Sequence, residues 1–329
     1  MSAIRSIASK ELYVAVKTKR FIIILATYLL FIFLMLYFER EWISQSKSSV
    51  VHQSMLGASG PVYMTPISSI FINNAMLFMF FGAFLGILLG ADAINREITR
   101  GTIKVLLGHP VYRDEVVNGK FLGNALALVL VIFIGFMFTI SLALIFGIPM
   151  EGLSITRLLL LSILLLLYTL VFLSLGIMIS SLIRSPETAM LIGVGLVIFF
   201  IFIYPLIASL IADRMVGPEP ECYTIMTERV EIVGTSTFTY RESSNSCEDM
   251  YREWQEEKQA WEKRINMLNP VTHFAQLMIY TFAGDEEAND FLPLSESLGY
   301  GINNLAILIV ELLFPFSIAY MRFMTRDLR

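Results

Sequence analysis

Only two cysteines, Cys222 and Cys247, occur in 329 residues, which excludes a cysteine-rich metal cluster. The three histidines, His52, His109 and His273, lie far apart in sequence and suggest neither a shared metal nor a catalytic dyad. The HExxH, GxSxG and GxxxxGK[ST] patterns are all missing. Gly119-Lys120 comes nearest to a phosphate loop, but Asp114 stands where the upstream glycine belongs and Phe121 where the hydroxyl residue belongs. A phosphate cradle needs those glycines for its inward N–H groups and the hydroxyl for magnesium. The chain is therefore expected to carry no active site, metal or cofactor of its own. Charge is also scarce, at 16% of residues, and nucleic acid is not expected among the partners.

What is abundant is apolar surface: 56% of residues are hydrophobic, concentrated in runs of about 18 or more with almost no charge, long enough to cross a bilayer core. Six spans can be read, near Phe21–Phe38, Ile67–Ala91, Phe121–Ile148, Ile155–Leu182, Thr188–Ala212 and Gly301–Met321. The expected fold is an all-α polytopic membrane protein. The first run is followed by "EREW" instead of a small-residue cleavage site, so it is expected to be a retained anchor.

Lysine and arginine crowd alternate flanks. Arg5, Lys10, Lys17, Lys19 and Arg20 precede the first span, and Arg96, Arg100, Lys104, Arg113 and Lys120 follow the second. Arg184 lies between the fourth and fifth spans, and Arg322, Arg326 and Arg329 follow the sixth. The opposite flanks hold few basic residues, so both termini are expected in the cytoplasm. Residues 1–20 form an amphipathic pattern, with Ile4, Ile7, Ala8, Leu12, Ala15 and Val16 on one stripe, expected as an interfacial helix. Residues 21–212 hold spans one to five with a loop at 92–120, and residues 300–329 hold the sixth span and a tail.

Residues 213–299 are then an extracytoplasmic domain of small α+β character. "YTIMTERVEIVGTSTFTY" alternates around Gly234 as a hairpin would. "CEDMYREWQEEKQAWEKRINML" aligns Met250, Trp254, Trp261, Ile265 and Leu268 on one helical face. On an oxidising face Cys222 and Cys247 are expected to form a disulfide; the alternative is two unpaired thiols.

Inside the spans, Glu311 is costly and therefore a functional candidate, for instance on a translocation path with Asn73, Asn74 and Asn303. The alternative is a neutral, hydrogen-bonded glutamic acid, with the asparagines, Asn304 included, serving interhelical bonds. Gly82, Gly86 and Gly90 repeat every four residues, a spacing that lets another helix approach closely, in this subunit or a second copy.

The polar stretch "NREITRGTIKVLLGHPVYRDEVVNGK", Asn95 to Lys120, combines an amphipathic helical start, Gly101, a His109-Pro110 break and a second short helix. It is either an interfacial loop or a rigid elbow facing the cytoplasm. Its residues Glu97, Gly101-Thr102, Leu106-Leu107, Pro110, Arg113 and Gly119-Lys120 fall in the order found in permease subunits of type-2 ATP-binding-cassette (ABC) transporters, which the chain resembles over nearly its whole length. Its opening "IASKELYVAVKTKRF" is similar to the subfamily that includes permeases associated with copper-enzyme maturation.

The resemblance implies two permease subunits, a homodimer or a pair with a paralogue, driven by separate cytoplasmic ATPase subunits that hold ATP and magnesium. It implies that the segment around Glu97, Gly101, Thr102, Leu106, Leu107, Pro110 and Arg113 couples the spans to the ATPase, for export from a cell membrane. A different expectation is a membrane sensor or scaffold coupled to an ATPase through its extracytoplasmic domain. The substrate is not legible.

Overall fold

The computed structural model describes residues 3–45, 47–99, 101, 112–149, 152–220, 226–233, 236–243 and 246–325. Among them are six helices long and apolar enough to cross a membrane: Phe21–Glu41, Ala75–Thr99, Arg113–Ile145, Ser154–Leu182, Pro186–Val216 and Leu294–Thr325. The protein is an all-α polytopic membrane protein with small two-stranded sheets. It divides into two compact units, one of residues Met1–Phe202 with Asn269–Arg329 and one of Ile203–Leu268.

In the first unit, α1 (Ala3–Lys17) leads into α2 (Lys19–Gln45). Strands β1 (Ser49–Met55) and β2 (Ala58–Met64) then form an antiparallel hairpin. Its two-residue turn puts Leu56 and Gly57 at φ 49° and 79°, the left-handed pair that matches strand twist. Short α3 (Pro66–Asn73) and long α4 (Ala75–Ala91) meet at Asn74, so the second apolar run is two helices and the membrane-crossing part starts at Ala75. Thr65 and Ser68 close a reciprocal capping box on α3, whose first residue is Pro66.

After α5 (Asn95–Thr99), the third spanning helix α6 (Arg113–Ile145) starts well before its apolar run. The expected separate helix at "YRDEVVNGK" is thus the first turns of α6. With 33 residues it is about 50 Å long, so its polar start extends beyond a hydrocarbon core of roughly 30 Å. The fourth span is α7 (Gly152–Leu182), and the fifth begins with α8 (Pro186–Ile198). Serine 185 caps α8 by accepting from the Thr188 N–H.

Gly82, Gly86 and Gly90 pack α4 onto α7 of the same chain. A Cβ at Gly86 would lie 2.4 Å from the Thr169 carbonyl, and one at Gly90 2.5 Å from that of Leu173. The backbones touch where side chains would hold them apart.

The second unit pairs α9 (Tyr204–Val216) with α10 (Ser246–Ile265), with strands β3 (Met226–Val233) and β4 (Ser236–Ser243) between them in sequence. The hairpin pairs Val233 with Ser236, at the place expected from the alternation around Gly234. The Trp254 indole donates to the Gly217 carbonyl at 3.1 Å and the Tyr204 hydroxyl to that of Ile265 at 2.9 Å. The Asp213 carboxylate, 2.6 Å from Lys258, raises that ammonium above its ordinary value. Of the expected apolar face, Trp254, Trp261 and Ile265 are partly buried but Met250 and Leu268 are exposed. The expected Cys222–Cys247 pairing lies outside the described residues.

The chain then returns to the first unit. Helix α11 (Pro270–Thr281) is buried at every residue but Tyr280. A short pair of strands, β5 (Gly284–Asp285) and β6 (Asp290–Phe291), leads to the sixth span, α12 (Leu294–Thr325). The β1–β2 hairpin rests on α11: the Gln276 amide donates to the Ser59 carbonyl at 3.1 Å and accepts from its N–H at 3.2 Å, while Thr272 donates to the Leu56 carbonyl. Residues 269–299 therefore pack with the membrane unit instead of extending the unit of Ile203–Leu268.

Candidate functional site

Helix α1 lies against the start of α6 because two glycines, one turn apart, leave room for it. A Cβ at Gly119 would be 2.8 Å from the Ile7 side chain, and one at Gly123 would be 2.6 Å from Glu11 Cβ and 2.7 Å from the Ala8 carbonyl. Ile7, Ala8 and Ala15 are buried in consequence. The expected interfacial helix is thus also a packed one, and its polar residues meet those of α5 and α6.

At that junction four charges alternate in a closed ring. Lys10 Nζ is 2.6 Å from Glu97 Oε1, Lys120 Nζ is 3.0 Å from Glu97 Oε2 and 3.0 Å from Glu11 Oε1, and Lys10 Nζ closes the ring 3.5 Å from Glu11. The Lys120 side chain is 1% exposed. Carboxylates face this enclosed lysine on both sides. Burial of Lys10 works against its charge, but its hydrogen bond to Glu97, together with the nearby Glu97 and Glu11 carboxylates, holds the ammonium above 10.5. That contribution is complete below the ordinary lysine value and fades only as pH rises through the higher, folded value. The ring borders a cavity of about 250 Å³ whose lining includes Phe21, Leu89, Asp92 and Arg96.

Helix α5 is fastened on its other side to the end of α7. Ser180 Oγ accepts from the N–H groups of Ile94 and Asn95, at 3.0 and 3.1 Å. Thr99 Oγ1 donates to the Arg184 carbonyl at 3.4 Å and the Asn95 amide to that of Ser185 at 3.5 Å, so the link between α7 and α8 is held too. Gly101 follows with φ at 72°, and no described residue lies within 4 Å of a side chain added there. The left-handed backbone calls for glycine here. Beyond the segment, Arg113 donates to the Met324 carbonyl at 3.0 Å, one of the carbonyls left open at the end of α12.

Of the expected coupling residues, Glu97 is therefore in the ring, Gly101 forms the turn after α5 and Arg113 joins α6 to α12. Thr102, Leu106, Leu107 and Pro110 lie outside the described residues. Lys10, Glu11 and Lys120 were not legible as a set. The available signal was Gly119 and Gly123 around Lys120, a small-residue pair at the spacing that admits a helix.

The intramembrane polar residues are spread out. The Asn74 amide donates to Glu39 on α2 at 3.3 Å and to the Ile70 carbonyl at 2.8 Å. Asn73 and Asn303 are exposed, and Asn304 Oδ1 is 2.9 Å from His273 Nδ1 on α11. Glu311 buries both carboxyl oxygens with no hydrogen-bond partner among the described residues. Another polar group passed over in sequence is Arg157, in the first turns of α7. It is 3% exposed, donates to the carbonyls of Thr281 and Leu292 and lies 4.3 Å from the Phe291 ring centre. It ties the end of α11 and β6 to the fourth span.

Comparison with known proteins agrees with this architecture. The profile of the "ABC-2 family transporter protein" family matches residues 5–328. The chain is 38% identical over 79 residues to the "Probable ABC transporter permease protein NosY" of Stutzerimonas stutzeri, and 37% identical over 79 residues to the protein of that name from Pseudomonas aeruginosa. Each alignment covers 24% of this chain and 29% of the relative. The family match, by contrast, takes in all six spans, and on that ground the chain belongs to the ABC-2 transporter family of multi-pass membrane proteins.

Proposed function

We propose that this chain is the permease subunit of an ABC exporter in the cell membrane, working with a second permease copy or a paralogue and driven by a separate cytoplasmic ATPase. ATP and magnesium would be held by that partner, since this sequence carries no P-loop. The lysine and arginine bias supports an orientation with both termini and residues 92–120 on the cytoplasmic side.

The ion-pair ring carries the coupling assignment. A partner pressing on the segment after Gly101 would act on α5, and α5 is bonded to α1 and α6 through Glu97 and to α7 through Ser180. Displacement of one short helix is thereby shared among several spans. The opposite flank, Arg113, is bonded to the end of α12. Thr102, Leu106, Leu107 and Pro110 would form the surface offered to the ATPase.

The test is reconstitution of the chain with its ATPase in lipid, reading ATP hydrolysis and transport together. Gly101→Val forces a β-branched residue into the left-handed region. It should insert normally yet lose the dependence of hydrolysis on transport substrate. Normal transport by this variant would overturn the coupling assignment.

A second reading, a sensor that engages a ligand through Ile203–Leu268, is supported by the separate compactness of that unit. Removal of the part of this unit that follows the fifth span, residues 217–265, should abolish ligand response while leaving ATPase stimulation.

A further inference from the structure

Two half-buried glutamates, Glu97 and Glu311, have opposite surroundings. Glu97 faces two ammonium groups, whereas Glu311, in the middle of α12, has both oxygens sealed from solvent and no hydrogen-bond partner among the described residues. Leu308, one turn earlier on α12, is fully buried, and Leu312 packs against the core.

The titratable groups on the packed helices are engaged elsewhere. On α7, the Tyr168 hydroxyl donates to the Met79 carbonyl at 3.1 Å. On α11, His273 contacts Asn304, about two turns from Glu311 along α12. On α6, Lys120 belongs to the ring, and Arg113 reaches the Met324 carbonyl at the far end of α12. An ionised carboxylate without cation, donor or water is far costlier than the neutral acid.

We infer that Glu311 is a proton-binding site within the membrane region, occupied while α12 is packed on α7 and emptied when that contact admits water. Closed packing leaves the neutral carboxylic acid. When water reaches the group, the O–H bond breaks heterolytically, the electron pair stays on the carboxylate and the proton passes to water; closure reverses the step. Protonation is thus tied to the packing of two spanning helices, independently of which ATPase or substrate the protein serves.

The experiment uses the full chain in lipid at neutral pH, treated with dicyclohexylcarbodiimide, which attacks protonated carboxyl groups in apolar surroundings, followed by peptide mass spectrometry. Glu311 should be modified, and Glu311→Gln, which preserves volume, should lose both the adduct and the infrared carbonyl band of a buried carboxylic acid. Failure of the wild type to show either the adduct or the band would overturn the inference. Leu308→Ala tests the link to packing: opening space beside Glu311 should lower its modification several-fold, and unchanged modification would refute that link. Both readouts come from the permease chain alone, so their failure is distinct from failure of the coupling assignment.

Discussion

Lys120 shows how one residue's environment sets its value. It is surrounded by Glu11 and Glu97, and replacing it by methionine would leave the two carboxylates with the more exposed Lys10 between them. Breaking a buried pair by removing one partner costs about 3–5 kcal/mol, so Lys120→Met should lower the thermal stability of the detergent-solubilised chain markedly. Adding Glu97→Gln should recover part of the loss, because one of the stranded charges is then gone. Additive losses in this cycle would show that the ring is not a coupled unit. Lys10 should matter less: its side chain is 51% exposed, and solvent screens pairs of that kind.

At the scale of elements, glycine pairs decide which helices touch. Gly119 and Gly123 admit α1 to the face of α6, and Gly86 and Gly90 admit α4 to α7. Gly123→Val would drive α1 away, because its Cβ would fall 2.6 Å from that of Glu11. The expected result is faster trypsin cleavage at Lys10 and Lys17 with the spans still inserted, an overpacking cost of about 1–3 kcal/mol. Unchanged cleavage would mean that α1 is not held by this contact. The hairpin and α11 form another such joint. Gln276→Ala removes the amide's two bonds to Ser59 and should destabilise the chain by about 1–3 kcal/mol, read as a fall in unfolding temperature.

For the whole molecule, the arrangement of spans has a testable sidedness. In a background with Cys222 and Cys247 replaced by serine, Ser9→Cys should react with a membrane-impermeant maleimide only after the cells are opened. His52→Cys, on the exposed side of β1, should react in intact cells. The reverse pattern would invert the topology and move residues 92–120 away from any cytoplasmic ATPase. The same outcome would leave the ring and the glycine contacts intact, since neither depends on orientation.

The six spans, the β3–β4 hairpin and the helix at Ser246–Ile265 were legible because each follows from a local pattern: unbroken apolar length, alternation, or a helical stripe. Bilayer crossing is decided by the composition of a single segment, so the sequence by itself determined it. The docking of the first-loop hairpin on α11 was decided by partners more than 200 positions away, as the spacing of 217 between Ser59 and Gln276 shows, and the break at Asn74 adjoins a contact with Glu39 on another helix. The ring needed the tertiary structure most of all. Residues 10, 11, 97 and 120 carry no shared motif, and their charges become one object only where the missing side chains of Gly119 and Gly123 let three helices meet.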